Sequence, residues 1–220
     1  MRVLLWGATA AIAATAAAHT LAPFPRFLIA QLGVTVIVVL SLNILMGVVG
    51  LISLATAAFM GVGGYAMLIL MMQFHIPFLP AVVAAVVVGG ALGWLLGLVS
   101  LRLEGMSLAI VTFGFVVIFG VLVRQGGSMT GGGYGRAVPP IEVPGLGRLD
   151  IDVLTDACVF LSVVAVTLSW SLNRSRVGRT WFAIKDNETA AEIQGVNVGV
   201  QKALAFASTS ALASFAGVLE

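Results

Sequence analysis

The chain has 220 residues, 60% of them hydrophobic and 9% charged, with a net charge of +2 and a mean hydropathy of +1.12. Soluble domains carry roughly 25% charged residues, so this chain lacks the polar surface that a water-facing globule needs. The small net charge gives no basis for a nucleic-acid partner, and the single cysteine, Cys158, excludes an intrachain disulfide and a thiolate metal cage.

Hydrophobic segments follow one another at Val3–Ala18, Phe27–Met46, Leu54–Met72, Phe78–Ser100, Ser107–Val123, Val153–Leu172 and Ala203–Leu219. A helix crosses a bilayer with about 20 predominantly apolar residues. Lipid supplies no partners for backbone groups, so spans are helices or a closed barrel. Barrel strands alternate apolar and polar residues, whereas the run Ala81 to Val88 is apolar throughout. The expectation is an all-α, polytopic transmembrane bundle of about seven spans. The first segment has a second reading. It is short and Ala-rich, with Arg2 before it and Ala16-Ala17-Ala18 near its end, as in a cleaved signal peptide. Residues 1–26 are therefore a span or signal-like segment with an external turn, and 27–220 the transmembrane domain.

Lys and Arg concentrate on the cytoplasmic side of membrane proteins. A cytoplasmic N-terminus places Arg2, Arg102, Arg174, Arg176, Arg179, Lys185 and Lys202 inside, and Arg26, Arg124, Arg136 and Arg148 outside. Two polar segments separate the later spans. Residues 124–152 hold Gly126-Gly127, Gly131-Gly132-Gly133, Pro139-Pro140 and Pro144-Gly145, which predict an irregular external loop. Residues 173–202 form a cytoplasmic loop with few breakers. Within it Trp181, Ile184, Glu188 and Ala191 recur at helical spacing, predicting one short amphipathic helix.

Gly89, Gly93 and Gly97 lie on one helix face, and Gly61, Gly63 and Gly64 give the preceding span further small positions. Small faces let helix backbones approach closely in lipid, so these are packing positions. Gly61, Gly63 and Ala66 match a dinucleotide fingerprint only formally, because no strand precedes them. Neither Lys185 nor Lys202 follows a P-loop pattern. His19 and His75 lack a second ligand at metal spacing, and no catalytic cluster is visible. The second to fourth spans contain no Asp, Glu or His, which weighs against an ion-coupled secondary transporter.

Three stretches carry a family resemblance. The first runs from Leu42-Asn43 through Gly50-Leu51-Ile52-Ser53-Leu54 to Ala57-Ala58-Phe59-Met60-Gly61-Val62-Gly63-Gly64-Tyr65. The second is Leu108-Ala109-Ile110-Val111-Thr112-Phe113-Gly114-Phe115, with Ser128-Met129-Thr130-Gly131-Gly132 beyond it. The third spans Ser175-Arg176-Val177-Gly178-Arg179, Ala183 to Glu188, Ala190-Ala191 and Gly195-Val196-Asn197. Over residues 40–220 the chain resembles the permease family of branched-chain amino acid ABC importers, the Liv-type membrane subunits. In that family the third stretch corresponds to a cytoplasmic loop docking on an ATPase subunit, with the pattern Glu-Ala-Ala-x-x-x-Gly. Here Ala190, Ala191 and Gly195 keep the small positions, while Thr189 stands at the Glu position and Glu188 comes one residue earlier.

The resemblance implies ABC-importer permease architecture. It also implies a second permease subunit, two cytoplasmic ABC ATPases that use the ATP, an external substrate-binding protein and the bacterial inner membrane. It implies no catalytic residue, metal or cofactor in this chain itself. ATPase-coupling residues would be Arg179, Ala183, Lys185, Asp186, Asn187, Glu188, Ala190, Ala191, Gly195 and Asn197. Asn43, Ser53, Thr56 and Thr112 are the polar candidates for the substrate path. Branched-chain or other hydrophobic amino acids fit best, with urea or short amides as the alternative, and an ion-coupled carrier or channel as a rival class. Ala55-Thr56 replaces the family's Gly followed by His or Gln. Val117 and Gly120 stand where many members have Glu and Arg, and Gly133 replaces a common Pro. These departures bear on substrate more than on architecture. Family members continue beyond the position of Glu220, so the sequence reads as cut at a fragment boundary.

Overall fold

The computed structural model describes residues 23–220 except 102, 104, 128, 133–134, 136–141, 144–146 and 149–150. Among these residues, 6 helices are long and apolar enough to cross a membrane. They correspond to the second to seventh hydrophobic segments; the first lies outside the described residues. Helix α1 (Pro23–Leu42) continues into a π-helical segment, Asn43–Val49, and is followed by α2 (Thr56–Gln73), α3 (Phe78–Val99) and α4 (Met106–Gln125). After α4 come two short strands, β1 (Glu142–Val143) and β2 (Gly147–Arg148). Then follow α5 (Ile151–Arg174), two short helices α6 (Arg176–Asp186) and α7 (Glu188–Ile193), and α8 (Val198–Leu219).

Prolines sit where helices tolerate them. Pro23 and Pro25 open α1, and Pro77 and Pro80 flank the start of α3, positions whose backbone N–H groups have no intrahelical acceptor. Residues 124–152 are not wholly irregular. The strands pair antiparallel, Glu142 with Arg148 and Val143 with Gly147, and the Thr130 hydroxyl donates to the Val123 carbonyl at 2.6 Å.

Helix α8 is the axis of the bundle, packing most heavily on α3 and then on α2, while α1 pairs with α5. Small residues on both partners make this close approach feasible. A Cβ at Gly93 would lie 2.4 Å from the Ser210 side chain, and one at Gly97 2.6 Å from the Ala203 backbone. Gly89 faces Ser214, Gly63 the Ser214 carbonyl, and Gly217 the Met60 carbonyl of α2, each without room for a methyl group. Gly61 faces the Phe119 ring of α4. The counterparts of Gly63, Gly64, Gly89, Gly93 and Gly97 are Ala203, Ser210, Ser214 and Gly217 of α8. The Ser214 hydroxyl donates to the Phe59 carbonyl across the interface at 2.9 Å.

The outward faces of the spans are apolar. Leu79, Val83 and Val87 of α3 and Ile110, Ile118 and Leu122 of α4 are exposed, as lipid-facing positions should be.

Candidate coupling site

The turns expected on the cytoplasmic side converge at one end of the bundle. The end of α1, residues 50–55, the α3–α4 turn and α6–α7 share one buried cluster. It joins Ile44, Leu45, Val48, Val49 and Leu51 to Leu108 of α4, Trp181, Ile184 and Ala191 of α6–α7, and Val198, Ala205 and Phe206 of α8.

The amphipathic segment is two helices rather than one. Ser175 caps α6, its hydroxyl oxygen accepting from Gly178 N–H at 3.2 Å. At Asn187 the backbone turns extended, with φ −159° and ψ 106°, and its side-chain oxygen accepts from Ala190 N–H at 3.0 Å. An Asn cap offers an orphan helix N–H a partner, so it ends one helix and begins the next. Asn197 caps α8 in the same way, accepting from Val200 N–H at 3.1 Å. Gly195, with φ +84°, supplies the left-handed residue that ends α7. Because α8 begins at Val198, Lys202 lies inside that helix and not in the loop that precedes it.

Each predicted coupling residue has a definite place. Trp181 and Ile184 point into the cluster, and Trp181 Nε1 donates to Gln201 Oε1 at 3.1 Å. Ala191 is buried with them, so its small side chain serves contact within the chain. Lys202 is only 3% exposed, and its ammonium donates to Glu188 Oε1 at 2.5 Å, tying α7 to α8. Lys185 Nζ donates to the Gly47 carbonyl at 2.6 Å, tying α6 to the π-helical end of α1. Arg179 Nη1 donates to the Arg174 carbonyl at 3.1 Å, a cation set against the C-terminal end of α5. Ala183, Asp186, Asn187, Gly195 and Asn197 are exposed and Ala190 half-buried. Phe182 and Ile193 stand out in the same surface, Ile193 at 83% exposure. The inward contacts of Lys185 and Lys202 have no signal in the sequence, because their partners lie in other elements.

The four polar path candidates separate into two groups. Ser53, Thr56, Thr209 and Ser210 line one small cavity of ≈ 10 Å³ together with Phe59 and Phe206, room for about one water. Thr112 is fully buried beside this region and holds residues 50–55. Its hydroxyl accepts from Leu54 N–H at 3.1 Å and donates to the Ala109 carbonyl at 3.0 Å. Asn43 is exposed at the start of the π-helical segment, apart from the cavity lining. Toward the opposite end of the bundle two open cavities, ≈ 440 and ≈ 430 Å³, meet at Tyr65 and Gly135.

Six apolar helices of membrane-spanning length among the described residues, joined at one end by a capped helical pair, define a polytopic helical membrane protein. The chain belongs to the family described as branched-chain amino acid transport system / permease component, which matches residues 24–220. It is 32% identical over 210 residues to the high-affinity branched-chain amino acid transport system permease protein LivM of Salmonella typhimurium, covering 84% of this chain and 49% of the relative. LivM of Escherichia coli is 31% identical over the same shares. The ribose import permease protein RbsC of Escherichia coli is 27% identical over 143 residues, 64% of this chain and 44% of the relative. The chain thus spans about half the length of the curated relatives it matches. No solved structure matches it significantly.

Proposed function

We propose that this chain is the membrane-spanning part of an ATP-driven importer in the bacterial inner membrane, carrying branched-chain or other hydrophobic amino acids. The observation that supports this most is the α6–α7 hairpin. Its inner face is packed and hydrogen-bonded to α1 and α8, while Phe182, Asp186, Asn187, Ile193 and Gly195 are left exposed on its outer face. Such a surface, firmly attached to the spans, suits a hydrolysing partner that must move them. A second permease subunit would complete the pathway, two ATPases would grip the hairpins, and an external binding protein would deliver substrate. The amino-acid reading is favoured over the sugar reading because the LivM relatives match more of the chain at higher identity than RbsC does. Substrate delivered from outside would meet the two open cavities beside Tyr65, and Ser53 and Thr56 would lie further along the same route.

The test is co-purification of the full-length protein in mild detergent, with mass-spectrometric identification of what accompanies it. An ABC ATPase and a second permease are expected in the wild type. Ile193→Glu should release the ATPase and abolish ATP-dependent leucine uptake. Uptake that persists in vesicles devoid of any ATPase and collapses with the ion gradient would instead establish an ion-coupled carrier.

A further inference from the structure

The end of α1 is wound as a π-helix over Asn43–Val49, a rare form that concentrates at functional sites. Gly50, with φ +83°, closes it, and both Gly50 N–H and Leu51 N–H donate to the Leu45 carbonyl. In a glycine-terminated α-helix the N–H of that glycine bonds the carbonyl three residues before it in a Schellman end, here Gly47, or four before it in the simpler left-handed end, here Met46. The wider winding takes this donor to Leu45, and Lys185 Nζ reaches in from α6 to the Gly47 carbonyl at 2.6 Å. The fit is close, because a Cβ on Gly50 would lie 2.9 Å from Lys185 Cγ.

We propose that Lys185 is a positioning residue: it sets the winding of Asn43–Val49, and so transmits movement of the α6–α7 hairpin to the polar cavity inside the bundle. The connection is continuous. Beyond Gly50 the chain is non-helical to Leu54, and it is held there by Leu54 N–H donating to Thr112 and Ala55 N–H donating to Ser53. Ser53 and Thr56 then form one wall of the cavity, and Thr209 and Ser210 of α8 the other. The hairpin is therefore fastened to both walls, to α8 through Trp181–Gln201 and Glu188–Lys202, and to the opposite wall through Lys185. The two fastenings differ in kind. The α8 contacts join a regular helix, and the Lys185 contact joins a segment wound as a π-helix, for which the ordinary α form is the alternative winding. Conformational coupling requires such a two-state element.

This inference rests on the importer reading for its transport consequence but not for its structural one, so two measurements separate them. The first is amide hydrogen exchange in the purified full-length protein. In Lys185→Met, exchange at Gly50 and Leu51 should rise about tenfold over wild type, and Lys185→Arg should restore most of the protection. Equal exchange in wild type and Lys185→Met would overturn the proposal. The second is ATP-dependent uptake of radiolabelled leucine in proteoliposomes carrying the complete complex. Uptake per captured complex should fall at least about fivefold in Lys185→Met and recover in Lys185→Arg. Undiminished uptake in Lys185→Met, with exchange raised as expected, would also overturn it, since the winding would then carry no motion. A wild-type complex that takes up no leucine with ATP would refute the importer reading and leave the exchange result to decide the role of Lys185.

Discussion

Lys202 shows what a single side chain does when a positive charge is placed within a span. Its ammonium is withdrawn from water and bonded to Glu188, whose side chain is 37% exposed. The two partners are therefore not equivalent. Removing the acid leaves a buried cation unpaired, whereas removing the cation leaves a carboxylate that water can still reach. Glu188→Gln should cost about 1–3 kcal/mol, while Lys202→Met should change stability by less than about 1 kcal/mol. Thermal unfolding in detergent measures both, and equal losses would contradict this asymmetry. Sequence reasoning places Lys202 in the cytoplasmic loop because charge is read as a topology signal. Its acidic partner lies on another helix, and the Asn197 cap that starts α8 early is as compatible with a loop. Lys185 was legible as a charge near the hairpin, but its acceptor is a backbone carbonyl, which leaves no mark in a sequence.

Among the elements, the stripe Gly89, Gly93 and Gly97 could be read directly, since spacing by four puts residues on one helix face. What lies opposite could not, because Ser210 and Ser214 pack as small residues and look like polar ones. The split of the hairpin at Asn187 and the π-winding before Gly50 were also invisible. Periodicity continues across the first break, and the second has no residue pattern of its own in Asn43–Val49. The packing makes a quantitative contrast. At Gly63 a methyl group would collide with the Ser214 backbone, whereas at Gly114 nothing lies within 4 Å. Gly63→Ala should destabilise the protein by about 1–3 kcal/mol through overpacking. Gly114→Ala should leave it unchanged or slightly more stable, alanine being the better helix former. Comparing their unfolding temperatures in the same detergent checks both.

For the molecule as a whole, hydropathy located six described spans to within a few residues, because crossing lipid constrains composition more strongly than any packing detail. Sidedness is an expectation from the placement of Lys and Arg and has its own test. In a Cys158→Ala background, Met129→Cys should react with an impermeant maleimide on intact cells, and Ile193→Cys only after the membrane is opened. Labelling in the reverse order would invert the topology and put the hairpin out of reach of any cytoplasmic motor.

The attachment of α4 has a mechanical consequence. Leu108 and Thr112 anchor its inner end, whereas further out Phe115 and Phe119 meet Phe59 and Tyr65 through ring contacts, and Ile118 and Leu122 are exposed. A rod pinned at its foot and lubricated along its flank swings rather than slides. A displacement of its outer tip would therefore break the two ring contacts beside Tyr65 before it disturbed the inner anchorage.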